Sequence, residues 1–195
     1  AGRAQMIETT TIDARQKLRS AVSALNTQVA DRFLLSGTAI DRAPIAGAQE
    51  MLDALSAATA GQTTASGIIS TVQAWFDAPP GGGGFQDVVY KGAGAQGAVD
   101  IGANDSVVLD VTALDPAILD TLKGLALATL VADGALSGDD AGRALVTRTA
   151  GETIVGASSS LATLRARVGT IEAHIDASAS RNATERGALT TARAA

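Results

Sequence analysis

The chain has 195 residues, 46% of them hydrophobic but only 3% aromatic, and it is acidic, with a formal net charge of −5 and no cysteine. An acidic balance leaves no basic surplus to displace counterions from nucleic-acid phosphates and no polybasic patch for an anionic membrane. Without cysteine there is no disulfide, thiolate zinc site or thiol nucleophile, and abundant alanine with few aromatics predicts thin helical layers packed through many small contacts.

No run of 18 apolar residues spans a bilayer, and no cleavable signal pattern is present. The chain opens Ala1-Gly2-Arg3 and stops in mid-pattern at Ala195. That is the expectation for a fragment whose helices continue past both ends.

Residues 3–35 read as a first long helix. Leu18, Val22, Leu25 and Val29 keep a four-three-four spacing, which Ile7, Thr11 and Ala14 extend backwards. Gly37 offers a left-handed stop, and Asp41 to Pro44 predicts a turn. Two shorter helices follow, over residues 48–60 with Met51, Leu52 and Leu55, and over residues 64–76 with Ile68, Ile69, Val72, Trp75 and Phe76. Pro79-Pro80 and the four glycines Gly81 to Gly84 predict a flexible loop.

From Phe85 the period changes. Val88-Val89-Tyr90, residues 99–101 and residues 107–111 are β-branched runs divided by Gly- and Asn/Asp-rich turns, which predicts two or three antiparallel strands. So small a sheet is marginal alone and has to lie on the helices. Asp115-Pro116 places a capping carboxylate and a helix-starting proline before Ile118, Leu122 and Leu125, and Gly134 marks the end of that helix.

The last stretch, about residues 139–192, carries the strongest pattern. Ile154, Ala157, Leu161, Leu164, Val168, Ile171 and Ile175 recur at alternating steps of three and four, a seam for partner helices. Downstream the same register meets Ser178, Asn182 and Glu185 before Leu189. A helix of this extent is about 80 Å long at 1.5 Å per residue. Gly151, Gly156, Gly169 and Gly187 each cost it about 1 kcal/mol relative to alanine, so packing has to sustain it.

Candidate chemistry is sparse. Gly92-Ala93-Gly94-Ala95-Gln96-Gly97 matches the G-x-G-x-x-G spacing of a dinucleotide loop, but a strand-like piece follows where a helix is needed, which points to a hairpin loop. His174, the sole histidine, sits beside the seam at an edge position. Asp100, Asn104, Asp105 and Asp110 lack the spacing of a calcium loop and read as turn formers. No catalytic, cofactor-binding or metal residue is predicted, and the chain is not expected to be an enzyme.

The segment Asn26-Thr27-Gln28-Val29-Ala30-Asp31-Arg32-Phe33-Leu34-Leu35-Ser36-Gly37-Thr38, with Asp41 and Pro44 after it, resembles the end of the first long helix in the bacterial flagellin and flagellar hook-associated protein 3 family. Tyr90-Lys91-Gly92 and the run from Asp115-Pro116 to Gly124-Leu125-Ala126 are similar to that family too. Leu34-Leu35 stands where the family more often has Leu-Phe. The resemblance implies a mainly α fold: two long antiparallel helices in a coiled-coil-like rod (residues 1–40 and 139–195), with short helices and a small antiparallel β piece inserted between them (residues 41–138).

It further implies a structural protein of the bacterial flagellum. Such a protein is exported unfolded through the type III apparatus without a cleaved signal and is located outside the cell. Its partners would be copies of itself, neighbouring axial proteins and an export chaperone, with no cofactor. The short insertion and the Arg32-Phe33-Leu34-Leu35-Ser36-Gly37-Thr38 form favour the hook–filament junction protein. Flagellin is the alternative, and a secreted coiled-coil adaptor or tip protein is a more remote one.

Overall fold

The computed structural model describes residues 2–102 and 105–194, with side chains from Asp13 onward. Asn104 and the side chains of Ile7 and Thr11 lie outside the described residues. The architecture is mainly helical, with a long C-terminal helix and two small two-stranded antiparallel sheets.

The first helix, α1 (Gly2–Leu25), buries Ala14, Leu18 and Val22, the face its spacing predicts. It ends about ten residues earlier than expected. Asn26 turns its amide onto the chain beyond: Nδ2 donates to the Ile45 carbonyl at 2.8 Å, and the Ile45 amide donates back to Oδ1 at 3.1 Å. The chain then makes a tight hairpin, β1 (Gln28–Val29) and β2 (Arg32–Phe33). Ala30 and Asp31 form its turn at φ 48° and 61°, the left-handed pair that a two-residue hairpin loop requires. Val29, expected in the helical seam, is therefore exposed.

Helices α2 (Ala48–Thr59) and α3 (Ala65–Phe76) form where expected. Thr64 caps α3 by accepting the Gly67 amide. The glycine loop after α3 is fastened: the Asp87 carboxylate accepts the amides of Gly81 and Gly83 at 2.9 and 2.7 Å. Those two bonds hold the Asp87 carboxyl below its usual range.

Asp87 lies on a short helix, α4 (Phe85–Val88), where strand was expected. Phe85 stacks on Phe76 at 5.2 Å and meets Trp75 edge-on at 5.9 Å. Burying that ring decides the local conformation. Only Tyr90 keeps strand character, in a single bridge to Ile45. Strands β3 (Gly97–Gly102) and β4 (Asp105–Leu109) then pair antiparallel, as predicted.

Asp115 accepts the Ala117 amide and opens α5 (Pro116–Ala132). Gly134, at φ 99°, lies in the turn that follows, just after the end of the helix. Asp139 accepts the Gly142 amide at the start of the 55-residue α6 (Asp140–Ala194).

Helix α5 carries the main correction to the expected rod. Apolar almost all round, it is buried without interruption from Leu122 to Val131, as a helix with neighbours on every side must be. It lies between α1 and α6. Arg15 of α1 pairs with Asp133 past the end of α5, and Leu25 shares a groove with Ile118 near its start. A Cβ added at Gly124 would stand 2.6 Å from Ile154 Cγ1 and 3.1 Å from the Ala150 carbonyl oxygen, so α5 and α6 meet almost backbone to backbone.

These contacts make α5 antiparallel to both neighbours. Among the described residues, then, the first and last helices run in the same direction and pack through α5. The expected direct antiparallel pairing is replaced by this three-helix arrangement.

The glycines divide by environment. Gly151, Gly156, Gly169 and Gly187 have nothing within reach of an added Cβ, unlike Gly124. Gly156→Ala and Gly169→Ala should each add about 1 kcal/mol of stability. Gly124→Ala should cost about 1–2 kcal/mol net, because overpacking outweighs the propensity gain. Thermal unfolding followed by far-ultraviolet circular dichroism checks both signs; unchanged midpoints for the first pair would contradict the open-face reading.

Candidate functional site

The segment that carries the family resemblance lies at the base of the inserted region. Ser36 and Gly37 are buried, and the glycine-rich loop 92–97 docks on them. The Ala93 amide donates to the Ser36 carbonyl at 2.9 Å, and the Thr38 amide donates to the Gly94 carbonyl at 2.9 Å. Gln96 Nε2 donates to the Gly37 carbonyl at 3.1 Å. Gly37 sits at φ 63°, where a Cβ would fall 2.2 Å from the Gly94 oxygen, so only glycine fits.

The phenol of Tyr90 closes the loop by donating to the Ala93 carbonyl at 2.6 Å, and burial raises its pKa above the ordinary value. The G-x-G-x-x-G spacing thus serves a backbone-to-backbone joint. The chain from Leu35 also accepts the Ala113 amide, which ties this joint to the start of α5.

The second feature is the upper face of α6. Burial follows the predicted register: Ile154, Ala157, Leu161, Leu164, Val168, Ile171, Ile175, Ser178 and Asn182 are each buried or half-buried, and from Ala157 on their neighbours in sequence are exposed. Glu185 and Leu189 are exposed, so the register loses its cover there. Leu161, Leu164 and Val168, with Leu25, Leu35, Val111 and Ile118, line a largely apolar open groove.

Beyond Ile175 the seam turns polar and receives the β3–β4 hairpin. Ser178 is 2% exposed. Its hydroxyl has one proton to share between two acceptors, the Ile101 carbonyl at 3.3 Å and Asp105 Oδ2 at 3.1 Å. Asn182 Nδ2 donates to the same Ile101 carbonyl at 3.0 Å. A Cβ on Gly102 would lie 3.3 Å from Ser178 Oγ, so two small residues allow the strand to approach the helix.

Asp105 is the focus of this contact. It lies 2.8 Å from His174 Nε2 through Oδ1 and accepts Arg181 Nη2 at 2.7 Å through Oδ2. The His174 hydrogen bond is the largest influence lowering the Asp105 carboxyl below the usual carboxylate range. Ser178 and Arg181 add to it, while burial opposes. About two turns earlier on α6, Arg167 bonds the Asp115 cap at 2.9 Å and lies 3.9 Å from Asp110.

Arg167, His174 and Arg181 thus form a basic stripe at seven-residue spacing, which returns each to nearly the same side of the helix. Sequence reasoning treated His174 alone and overlooked the stripe; the spacing itself was the available signal. Asp100 is exposed on β3 and belongs to no cluster. Among the described residues no group of three or more His, Cys, Asp or Glu side chains is placed to hold a metal ion.

Gly37→Ala should destabilise the fold by about 1–3 kcal/mol, through a strained backbone and a blocked joint. Gly94→Ala, with nothing within reach of its Cβ, should be close to neutral. Denaturant unfolding midpoints of the two variants separate them. Compared with protein-family models, curated proteins and solved structures, the chain matches none.

Proposed function

We propose that this chain is the core of a structural protein of the bacterial flagellum, at the junction between hook and filament. The carrying observation is the Asn26-to-Pro44 segment: the residues that resemble the flagellin and hook-associated family form the joint between α1 and the inserted region. Within it, Ser36 and Gly37 are buried against the 92–97 loop. Supporting it is α6, about 80 Å of helix at 1.5 Å per residue, whose apolar register runs past the end of α1.

On this reading the chain performs no reaction. Its faces meet copies of itself and the axial proteins on either side, and the rod is built by assembly. The open-face glycines of α6 keep intrinsic helix stability low, which suits a chain that is exported unfolded and folds outside the cell. A chaperone would hold it before export.

Deleting the gene tests the proposal. Junction function predicts that hooks still form, that filament subunits are found in the medium, and that motility returns on complementation. Loss of the filament subunit itself would assign the chain as flagellin. Intact filaments and motility would overturn the flagellar reading.

A further inference from the structure

We propose that copies of this chain join head to tail through α6. The uncovered stretch of one helix, at Glu185, Leu189 and Arg193, lies parallel in the apolar groove between α1, α5 and α6 of a second copy. The inference gives a geometry to the self-assembly proposed above but rests on the residues of the groove and of α6. Solution mass can contradict it while the gene deletion still behaves as expected.

The groove is open and largely apolar, with a volume of about 420 Å³. Leu25, Ile118, Leu161 and Val168 are the buried or half-buried part of its lining, while Arg165, Gly169 and Glu172 are exposed. An added Cβ on Gly169 would meet nothing within 4 Å, so this side of the groove has room for an incoming side chain. The ion pairs of α6 run through Arg148, Arg167, His174 and Arg181. Arg165 and Glu172 therefore lack a charged partner among the described residues.

The occupant is indicated by the other half of the same helix. From Ala183 to Ala194 every residue is exposed, Leu189 at 66%. So short a length of helix, with Gly187 inside it, is marginal without packing. Glu185, Leu189 and Arg193 are spaced by four, so they form one ridge: an apolar knob between an acid and a base. Neither charge has an ion-pair partner among the described residues.

The order of charges selects the direction. With Leu189 over Val168 and Gly169 in a parallel neighbour, Glu185 comes to Arg165 and Arg193 comes to Glu172. Both pairs are of opposite sign. An antiparallel neighbour with the same leucine contact brings Arg193 towards Arg165 or Glu185 towards Glu172, and like charges oppose it. The parallel register is a shift of about three heptads, or about 30 Å along the axis at 1.5 Å per residue, which keeps the apolar seams in phase. Groove and ridge are different surfaces, so each added copy presents a fresh groove or ridge, and the contact is heterologous.

Sedimentation equilibrium of the 195-residue chain, from about 10 μM to about 1 mM, tests the proposal, since a contact this small associates weakly. The mean mass should rise with concentration and pass that of a dimer. Leu189→Asp should keep the chain monomeric, and Glu172→Arg or Arg193→Glu should each weaken association roughly five- to tenfold. The double variant Glu172→Arg/Arg193→Glu should restore it. All four positions are exposed, and unchanged circular dichroism checks that each variant folds. Mixing Leu189→Asp, which keeps the groove, with Glu172→Arg, which keeps the ridge, should give a dimer that grows no further. A monomer at every concentration, a mass that stops at the dimer in the unmodified chain, association that survives Leu189→Asp, or a double variant no better than the singles would each overturn the proposal.

Discussion

The near-contact of α5 with α6 at Gly124 constrains the rest of the molecule. An added Cβ there would meet both Ile154 and the Ala150 carbonyl. With the two backbones this close, small buried residues such as Ala128 and Ala150 can fill the layer without large side chains. Alanine-rich composition, a liability for burying area per residue, becomes an advantage when helices approach so closely. The opposite side of α5 is then free to take Leu18 and Val22 of α1, and one helix serves as core for two.

Where the layer cannot be thin, the few aromatics are concentrated. Trp75, Phe76 and Phe85 form one cluster at the base of the glycine loop. The buried ammonium of Lys123 is held beside this region by two exposed carboxylates, Asp77 at 2.8 Å and Asp120 at 3.2 Å, so the end of α3 and α5 are joined by an ion pair as well as by apolar contact. With its carboxylates in water the pair contributes little stability and acts more as a constraint on geometry. The Ser36–Thr38 joint completes the frame by tying the chain after α1 to the loop before β3.

What was legible in the sequence was local. Thr64, Asp115 with Pro116, and Asp139 bond amides within three residues of themselves, so their side-chain chemistry suffices to place a helix start. The α6 register was legible for the same reason: a periodic burial pattern needs no knowledge of the partner. What failed depended on contacts distant in sequence. Leu25 ends α1 because Asn26 reaches Ile45, and Val88 is helical because Phe85 belongs to a cluster with Trp75 and Phe76. The placement of α5 between the terminal helices was hidden because its apolar circumference was counted as a single face. The seam's polar continuation looked like weakness when Ser178 and Asn182 were weighed only as poor coiled-coil residues. Both donate hydrogen bonds to a strand carbonyl.

Charge is distributed along the same lines as packing. Helix α6 carries seven arginines against five acidic residues, in a chain whose net charge is −5, so the acidity is concentrated in the region between α1 and α6. The arginines at 167 and 181 meet acidic groups of the inserted region and the α5 cap, with His174 between them. Each of these pairs is partly exposed and contributes little alone. Their arrangement at one heptad spacing matters more: it fixes the register in which an acidic insertion can lie on a basic helix, because a slide by one turn would carry the carboxylates off the stripe. The apolar seam sets which side of α6 is covered, and the charges set how far along it the hairpin sits. The long helix is thereby a ruler as well as a support, and as far as Asn182 it carries the α5 contact and the hairpin contact in sequence.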